Sequence, residues 1–546
     1  MTVSPELLIV GGDVFTADVA QPKAEAVAVV GNRIAAVGSA RELVGRFPGA
    51  RQVDVGGRTV VPGLVDAHNH FLATGEMLAT LDVRYPAVAS VDDLVAALAT
   101  AAASTPSGHW VEATGFDHAK YGRPPTCHDL DRATTDHPVF VGHVSGHQGV
   151  ANSHALAKQG VTRDTPDPAG GHIVRDEDGE PTGLLVEAAL GLLQPVEVEL
   201  GHHGPNFHFR RPMSELVSAV DRACQAFLAA GLTTVCDAQV TRRELRAYQE
   251  ARRLERLRVR TVCMPLSHQL PELVSLGLAS GWGDDWLRLG AMKFYADGSL
   301  IGGTAWFSQP YGERGELTGS AYWEPTEFVE AMCQAHAAGW QIGVHAQGDA
   351  GIEMTLDAFA EALQRAPAAD PRFRIEHAGG PTVAQVVRMA ALGVVAVNQP
   401  SYLRDSGDEF LTRLGGRAER LQPWREELAA GVRVVVSSDS DVASYRPVRT
   451  MAAALDRTTS GGLPIGANQA LTLEEALRAH TIEAAFALRM DDRIGSLEVG
   501  KLADVAVVDG DVWGASPGEL AELPIWLTVL DGQVAYAAPE AAAFLG

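Results

Sequence analysis

The chain has 546 residues and is acidic, with 44 Lys and Arg against 68 Asp and Glu and a formal net charge of −24. Such a surface repels phosphate backbones and anionic lipid headgroups, so we expect neither nucleic acid nor membranes as partners. The length predicts several domains, and the ordinary hydrophobic share of 46% predicts that they bury globular cores.

The sequence carries no sign of a secreted or membrane-bound protein. Its five cysteines are scattered without a C-x-x-C pair, which argues against a disulfide framework and a zinc knuckle. No basic segment followed by a long apolar run opens the chain, and no apolar stretch approaches the ~20 residues that span a bilayer. We therefore expect a reduced, cytoplasmic protein, and the sequence leaves open whether it forms a homo-oligomer.

Both ends of the chain predict short strands joined by tight turns. In VAVV-GN-RIAAVG a Gly-Asn turn separates two alternating apolar runs, and WLTVLDGQVAYAA near the other end repeats the device with Asp-Gly. Neither end has enough strands for an independent sheet. We predict one small β-sandwich made of residues 1–60 and 491–546.

A weak internal repeat marks the central part, residues 61–73 and 212–490. A helical stretch that ends in Ala-Ala-Gly runs directly into a β-branched strand from Phe227, Ala335 and Glu427, with a looser copy from Met389. Glycine suits the left-handed residue that ends a helix, and a continuous apolar strand suits burial on both faces. The repeat predicts an α/β fold with parallel strands, either a doubly wound sheet or a closed (β/α)8 barrel.

Residues 74–211 interrupt this repeat with Gly- and Pro-rich stretches. Because the interruption follows the first strand of the repeat, we expect an insertion that covers the active-site mouth as a lid. His147, in HVSGHQG, is a candidate for binding the substrate, with a structural role as the alternative.

Ionisable side chains stand at or just after the ends of several apolar strands of the repeat. Residues two apart on a strand share a face, and parallel α/β folds place their active sites at the carboxyl ends of strands. A lone histidine at such a position is usually structural, but the joint pattern of imidazoles and a carboxylate favours a metal site. The candidates are His68, His70, Lys293, His345, His377 and Asp439.

These segments resemble the successive metal-site motifs of the amidohydrolase superfamily, and within it amidohydrolase family 3, which includes N-substituted formamide deformylase-like enzymes. The resemblance covers nearly the whole chain and rests on PGLVDAHNH, MKFYADGSL, VHAQGD, RIEHA and SSDS.

The resemblance implies a TIM-type barrel with two metal ions, expected to be Zn²⁺. It implies that His68 and His70 hold one ion and that His345 and His377 hold the other. Lys293, carbamylated on its amine, would bridge the two ions. Asp439 would complete the site and act as proton shuttle. One departure is Asp441, which stands where many relatives have proline.

The combined expectation is a hydrolase that cleaves the non-peptide C–N bond of a small N-acyl or N-formyl compound. One alternative is a deaminase of a cyclic amidine with a single metal ion and an ordinary Lys293. Another is a barrel that binds a metal or a ligand without catalysis. Asp297 is a further candidate for substrate binding, although helix capping suits its loop, and Glu376 is expected to be structural, facing away from His377.

Overall fold

The computed structural model describes residues 7–144, 146, 148–168, 171–193, 196–206 and 208–544. Its contacts divide the chain into two compact units, one made of residues 1–71 and 220–546 and the other of residues 72–219. Within the described ranges, no helix is both long and apolar enough to cross a membrane. All five cysteines are free and buried, in agreement with the absence of a disulfide framework.

The two ends of the chain contribute strands to one sheet of the first unit. Its order is β23-β22-β21-β5-β1-β2-β3, with β4 paired to β1, and β21 joins β5 in antiparallel register through Ala506 and Val61. The strands are β1 (Leu7–Phe15), β2 (Lys23–Val30), β3 (Arg33–Gly38), β4 (Arg51–Asp54), β5 (Thr59–Pro62), β21 (Val505–Val508), β22 (Ile525–Leu530) and β23 (Gln533–Ala537).

The remaining strands of the first unit form two all-parallel sheets, of order β15-β14-β13-β6 and β16-β17-β18-β19-β20. They are almost fully buried, as expected for parallel strands covered on both faces. Their bounds are β6 (Leu64–Asn69), β13 (Leu232–Val240), β14 (Arg260–Pro265), β15 (Leu287–Leu289), β16 (Met292–Tyr295), β17 (Ile342–Ala346), β18 (Arg374–His377), β19 (Val395–Asn398) and β20 (Arg433–Val436).

Backbone contacts join the two parallel sheets at both of their edges. A parallel bridge between Leu266 and Lys293 connects the end of β14 to β16. On the other side, the Asp439 amide donates to the His68 carbonyl at 2.9 Å and the His70 amide donates to the Ser440 carbonyl at 2.6 Å. The carboxyl end of β6 therefore lies beside the residues that follow β20.

The second unit has its own six-stranded mixed sheet, of order β11-β12-β10-β9-β8-β7. Strands β7 to β9 are parallel, and the others pair antiparallel. The strands are β7 (Leu81–Asp82), β8 (Val111–Phe116), β9 (Val139–His143), β10 (Gln148–Ala151), β11 (Gly171–Arg175) and β12 (Pro181–Glu187).

Helices stand between most of the successive parallel strands of the first unit, and α3 to α6 belong to the second unit. The α-helices are α1 (Ala40–Arg46), α2 (Phe71–Met77), α3 (Val91–Ser104), α4 (His118–Tyr121), α5 (Cys127–Asp131), α6 (Ser153–Lys158), α7 (Met213–Ala229), α8 (Arg242–Arg253), α9 (Leu270–Ser275), α10 (Pro325–Ala337), α11 (Asp349–Arg365), α12 (Val383–Ala391), α13 (Pro400–Asp405), α14 (Gly407–Leu414), α15 (Trp424–Ala430), α16 (Pro447–Asp456), α17 (Leu473–Ala479), α18 (Ile482–Ala487) and α19 (Pro517–Leu520).

The repeated glycine ends its helix as the sequence predicts. Gly231, Gly339, Gly393 and Gly431 all have positive φ, from 65° to 90°, and each stands between a helix and a parallel strand. Only glycine adopts this backbone without cost, so the motif stops the helix and turns the chain into the next strand.

Candidate metal centre

The six residues predicted as ligands are all buried, and all but Lys293 lie at or just after the carboxyl ends of the parallel strands. Lys293 lies within β16 and Asp439 lies just beyond β20. Strand pairing sets the register, with Tyr295 opposite His345 and Ala346 opposite His377. His68 belongs to β6, His70 follows it, His345 belongs to β17 and His377 ends β18.

Asp439 lies against the histidines of the first strand. Its Oδ1 is 2.9 Å from His70 Nε2 and 3.3 Å from His68 Nε2, and its Oδ2 is 4.0 Å from His377 Nδ1. The Tyr402 hydroxyl donates a hydrogen bond to Oδ2. One carboxylate oxygen thus faces two imidazole nitrogens while the other is held by a tyrosine.

Three of the histidines each have one ring nitrogen bound to an acceptor. His68 Nδ1 donates to Glu376 Oε2 at 2.6 Å, and His377 Nδ1 donates to Gln399 Oε1 at 2.6 Å. His345 Nε2 donates to the carbonyl of Gly298 at 3.0 Å. An imidazole that donates from one nitrogen presents a lone pair on the other, which is the tautomer that a metal ion requires.

Burial keeps two of these imidazoles neutral. It lowers the pKa of His377 to about 3, although the nearby carboxylate of Asp439 acts to raise it. Burial also holds the pKa of His345 well below its usual range. Neutral imidazoles are the form that ligates cations.

Asp439 is ionised although it is buried. Burial raises its pKa, but the adjacent His68 and His70 outweigh that effect and hold it well below its usual range. Its backbone has φ of +53°, and that of His377 has φ of +73°. Non-glycine residues in this region are strained, and such strain is concentrated at functional sites.

Lys293 is a fully buried amine, with an exposed fraction of 0%. Within the part of the chain that the structure describes, its Nζ has no hydrogen-bond partner and lies 4.6 Å from the centroid of the Tyr295 ring. Burial lowers its pKa to about 8, although Glu376 and Asp439 act to raise it. A buried, partnerless ammonium is costly, whereas a neutral or modified amine is compatible with this environment.

The donor set fits a divalent cation. The ligand atoms of His68, His70 and Asp439 lie within 4.8 Å of one another. The two contacts to Asp439, at 2.9 and 3.3 Å, are close to the ligand separation of about 3.4 Å around a tetrahedral ion with bonds of about 2.1 Å. Imidazole and carboxylate donors are the types that Zn²⁺ and similar borderline ions accept.

A second layer of residues contacts the candidate ligands, and its members were not predicted from the sequence as part of the site. Glu376, which the sequence predicted to face away from His377, contacts the candidate ligand His68 and is itself paired with Arg374 at 2.7 and 2.9 Å. Gln399 and Tyr402 follow β19 and were not singled out. The available signal was the polar pair Asn398-Gln399 at a strand end, the position where the ligands stand on other strands.

His147 and Asp297 are the two residues that the sequence suggested for substrate binding. His147 lies outside the described residues. Asp297 accepts backbone N–H groups of Gln347, Gly348 and Trp306 at 2.8–2.9 Å through both of its oxygens. Asp297 therefore holds these loops, which fits the capping role that its position also predicted, and its expected role in substrate binding stays a prediction.

Comparison with known proteins identifies the family to which the chain belongs. The model of the amidohydrolase family matches residues 51–536. N-substituted formamide deformylase of Arthrobacter pascens is 33% identical over 98% of this chain and 99% of its own length, and Protein LONG AFTER FAR-RED 3 of Arabidopsis thaliana is 30% identical over 93% and 88%. The crystal structure of an uncharacterized metal-dependent hydrolase from Pyrococcus furiosus superimposes with a TM-score of 0.73 at 25% identity, covering 92% of this chain and 99% of that one. The chain belongs to the amidohydrolase family and is a hydrolase acting on carbon–nitrogen bonds.

Proposed function

We propose that this protein hydrolyses the amide C–N bond of small N-substituted formamides or related N-acyl amines. The observation that carries the proposal is the set of fixed imidazole tautomers, in which His68, His345 and His377 each bind an acceptor through one nitrogen. That arrangement favours cation binding at the other nitrogen, beside an ionised carboxylate. The likeness to N-substituted formamide deformylase supports the substrate class.

The metal ions that we propose are two Zn²⁺. His68 and His70 would hold one, His345 and His377 the other, and Lys293 would bridge them as a carboxylated amine, with Asp439 completing the set. When bound, such ions polarise a carbonyl and lower the pKa of water. The buried Lys293 amine, whose pKa burial lowers, supports the modification because only the neutral amine reacts with carbon dioxide.

Asp439 is the proposed proton carrier. Its Oδ1 faces His68 and His70, while Tyr402 holds Oδ2, so the carboxylate has a fixed orientation. Being ionised, it can take a proton from the attacking water and then deliver it to the departing amine, first as base and then as acid. Burial of the whole cluster excludes bulk water from this transfer.

We further propose that the two parallel sheets close into one (β/α)8 barrel. The Leu266–Lys293 bridge on one side and the Asp439–His68 backbone bond on the other support closure. A barrel would bring all six candidate ligands to one face.

The test is an assay of the purified, metal-analysed protein on three panels: N-substituted formamides, N-acyl amines and cyclic amidines. We expect release of formate or carboxylate with the amine, and its loss after chelation. Asp439→Asn should lower kcat by about 10²- to 10⁴-fold, because an amide cannot carry the proton. Asp357→Asn, at a half-exposed ion pair with Arg388, is the matched control and should leave kcat unchanged.

Turnover of cyclic amidines alone, with one ion per chain, would replace this proposal with the deaminase. Full activity of Asp439→Asn would place the base elsewhere.

A further inference from the structure

Three side chains of the second unit meet at the ends of two neighbouring strands. Phe116 at the end of β8 stands opposite His143 at the end of β9 in parallel register. Asp117 and His118 follow Phe116 directly. The carboxylate oxygen and the two imidazole nitrogens that these residues offer lie within 4.8 Å of one another.

The two imidazoles are fixed by their surroundings. Their rings stack with centroids 5.0 Å apart and an interplanar angle of 29°. His143 also contacts the Phe116 ring, edge-on and 4.9 Å away, and only 6% of the residue is exposed. Strand pairing sets the backbone of His143 and of Phe116, two residues before His118, so the nitrogens converge without long, mobile side chains.

Asp117 and His118 retain atoms for a ligand. Asp117 Oδ1 accepts the Ala119 amide at 2.9 Å and so caps α4, which engages one of its two carboxylate oxygens. His118 Nδ1 is a buried atom, and among the described residues it has no hydrogen-bond partner. A buried polar atom without a hydrogen-bond partner destabilises the folded state unless a ligand or an ion binds it.

We propose that Asp117, His118 and His143 form a second divalent-cation site, independent of the cluster around Asp439. Two imidazoles and one carboxylate form a three-residue set that suits Zn²⁺ and leaves a position for water. The ion would link the residues after β8 to the end of β9. The site would therefore stabilise the fold of the second unit.

The experiment measures Zn²⁺ and Co²⁺ bound per chain, on the full-length protein equilibrated over a range of metal concentrations. His118→Ala and Asp117→Asn are the variants; asparagine keeps the helix cap and removes the charge. We expect both to lose about one equivalent relative to the wild type, or to bind it at least about tenfold more weakly. The Co²⁺ absorption band of that equivalent should disappear in His118→Ala.

Two controls make the result specific. His172→Ala removes an exposed histidine of the same unit that pairs with Asp167 at 2.6 Å, and should leave the stoichiometry unchanged. His68→Ala should remove metal independently, so that the losses in His68→Ala and His118→Ala add. Equal stoichiometry and affinity in the wild type, His118→Ala and Asp117→Asn would overturn the proposal, whatever the cluster around Asp439 binds.

Discussion

Tyr402 offers a sharp test of how the proposed proton carrier is held. Its hydroxyl donates to Asp439 Oδ2, and the pKa of the phenol is raised well above its usual range by burial and by Asp439, so the hydroxyl keeps its proton. Tyr402→Phe removes this donor and little volume. A hydrogen bond to a charged group contributes about 1.5–3 kcal/mol, which corresponds to a fall in kcat of about 10- to 150-fold.

The pH dependence separates positioning from a purely structural effect. Loss of a donor destabilises the carboxylate and raises the pKa of Asp439. Because the ionised form is the active base, activity is lost as the pH falls through that pKa. The acid limb of the kcat profile should therefore move to higher pH in Tyr402→Phe, with unchanged metal content.

A matched variant controls for the loss of a buried hydroxyl. Tyr311 is also buried, and its hydroxyl donates to the Ala305 carbonyl at 3.0 Å instead of to the cluster. Tyr311→Phe should leave both kcat and the acid limb unchanged. A kcat of Tyr402→Phe within about twofold of wild type, with the same acid limb, would refute the positioning argument.

Three further predictions address the metals and stability. Lys293→Ala should lose at least one bound ion and any dependence on bicarbonate, measured by metal analysis; retention of two ions would contradict the bridge. Glu376→Gln should weaken zinc affinity about 10- to 100-fold in a chelator competition, because the charge behind His68 is lost, and unchanged affinity would contradict its role.

The third prediction concerns the buried Glu427. Burial raises the pKa of its carboxyl to about 8, whereas the pKa in the unfolded chain is about 4.3. The folded state therefore keeps the proton, and this stability is present at low pH and is lost as the pH rises towards 8. In the wild type, the free energy of unfolding should fall by an amount on the order of a few kcal/mol between about pH 4.5 and 8 because of this group. Glu427→Gln should abolish that fall. The exposed Glu327→Gln is the control, and identical pH profiles would contradict the assignment.

The strands and the candidate ligands were predictable because their signals are local. Each helix stop needs one glycine with positive φ, and each ligand needs one polar residue at the end of an apolar run. Because the strands are parallel, their carboxyl ends meet at the same edge, and no long-range sequence signal is needed to predict this. His68 and His345 could thus be expected in one cluster because each stands at the end of an apolar strand.

The mixed sheet of the second unit was not predicted for the opposite reason. Its order, β11-β12-β10-β9-β8-β7, combines parallel and antiparallel pairs between short strands. No repeated motif sets this order in the sequence, and pairing of partly exposed strands depends on neighbours that are distant in the chain.

Glu376 shows why alternation along a strand failed to identify the second layer. The alternation rule holds for extended backbone, and it separates Glu376 from His377 only if both residues are extended. His377 has φ of +73°, so the chain turns there and the rule ends. The contact of Glu376 with His68 also joins residues 308 positions apart, which no local pattern records.

Asp297 is an acidic residue whose carboxylate holds buried loops together. Its carboxylate binds three backbone N–H groups, from Gln347, Gly348 and Trp306, which would otherwise be buried without acceptors. Burial raises its pKa to about 7, and those three donors act against that rise. The next residue, Gly298, supplies the carbonyl that fixes the tautomer of His345. Asp297 thus contributes to the candidate metal centre through the loop that it holds, and the substrate-binding role expected from the sequence stays a prediction.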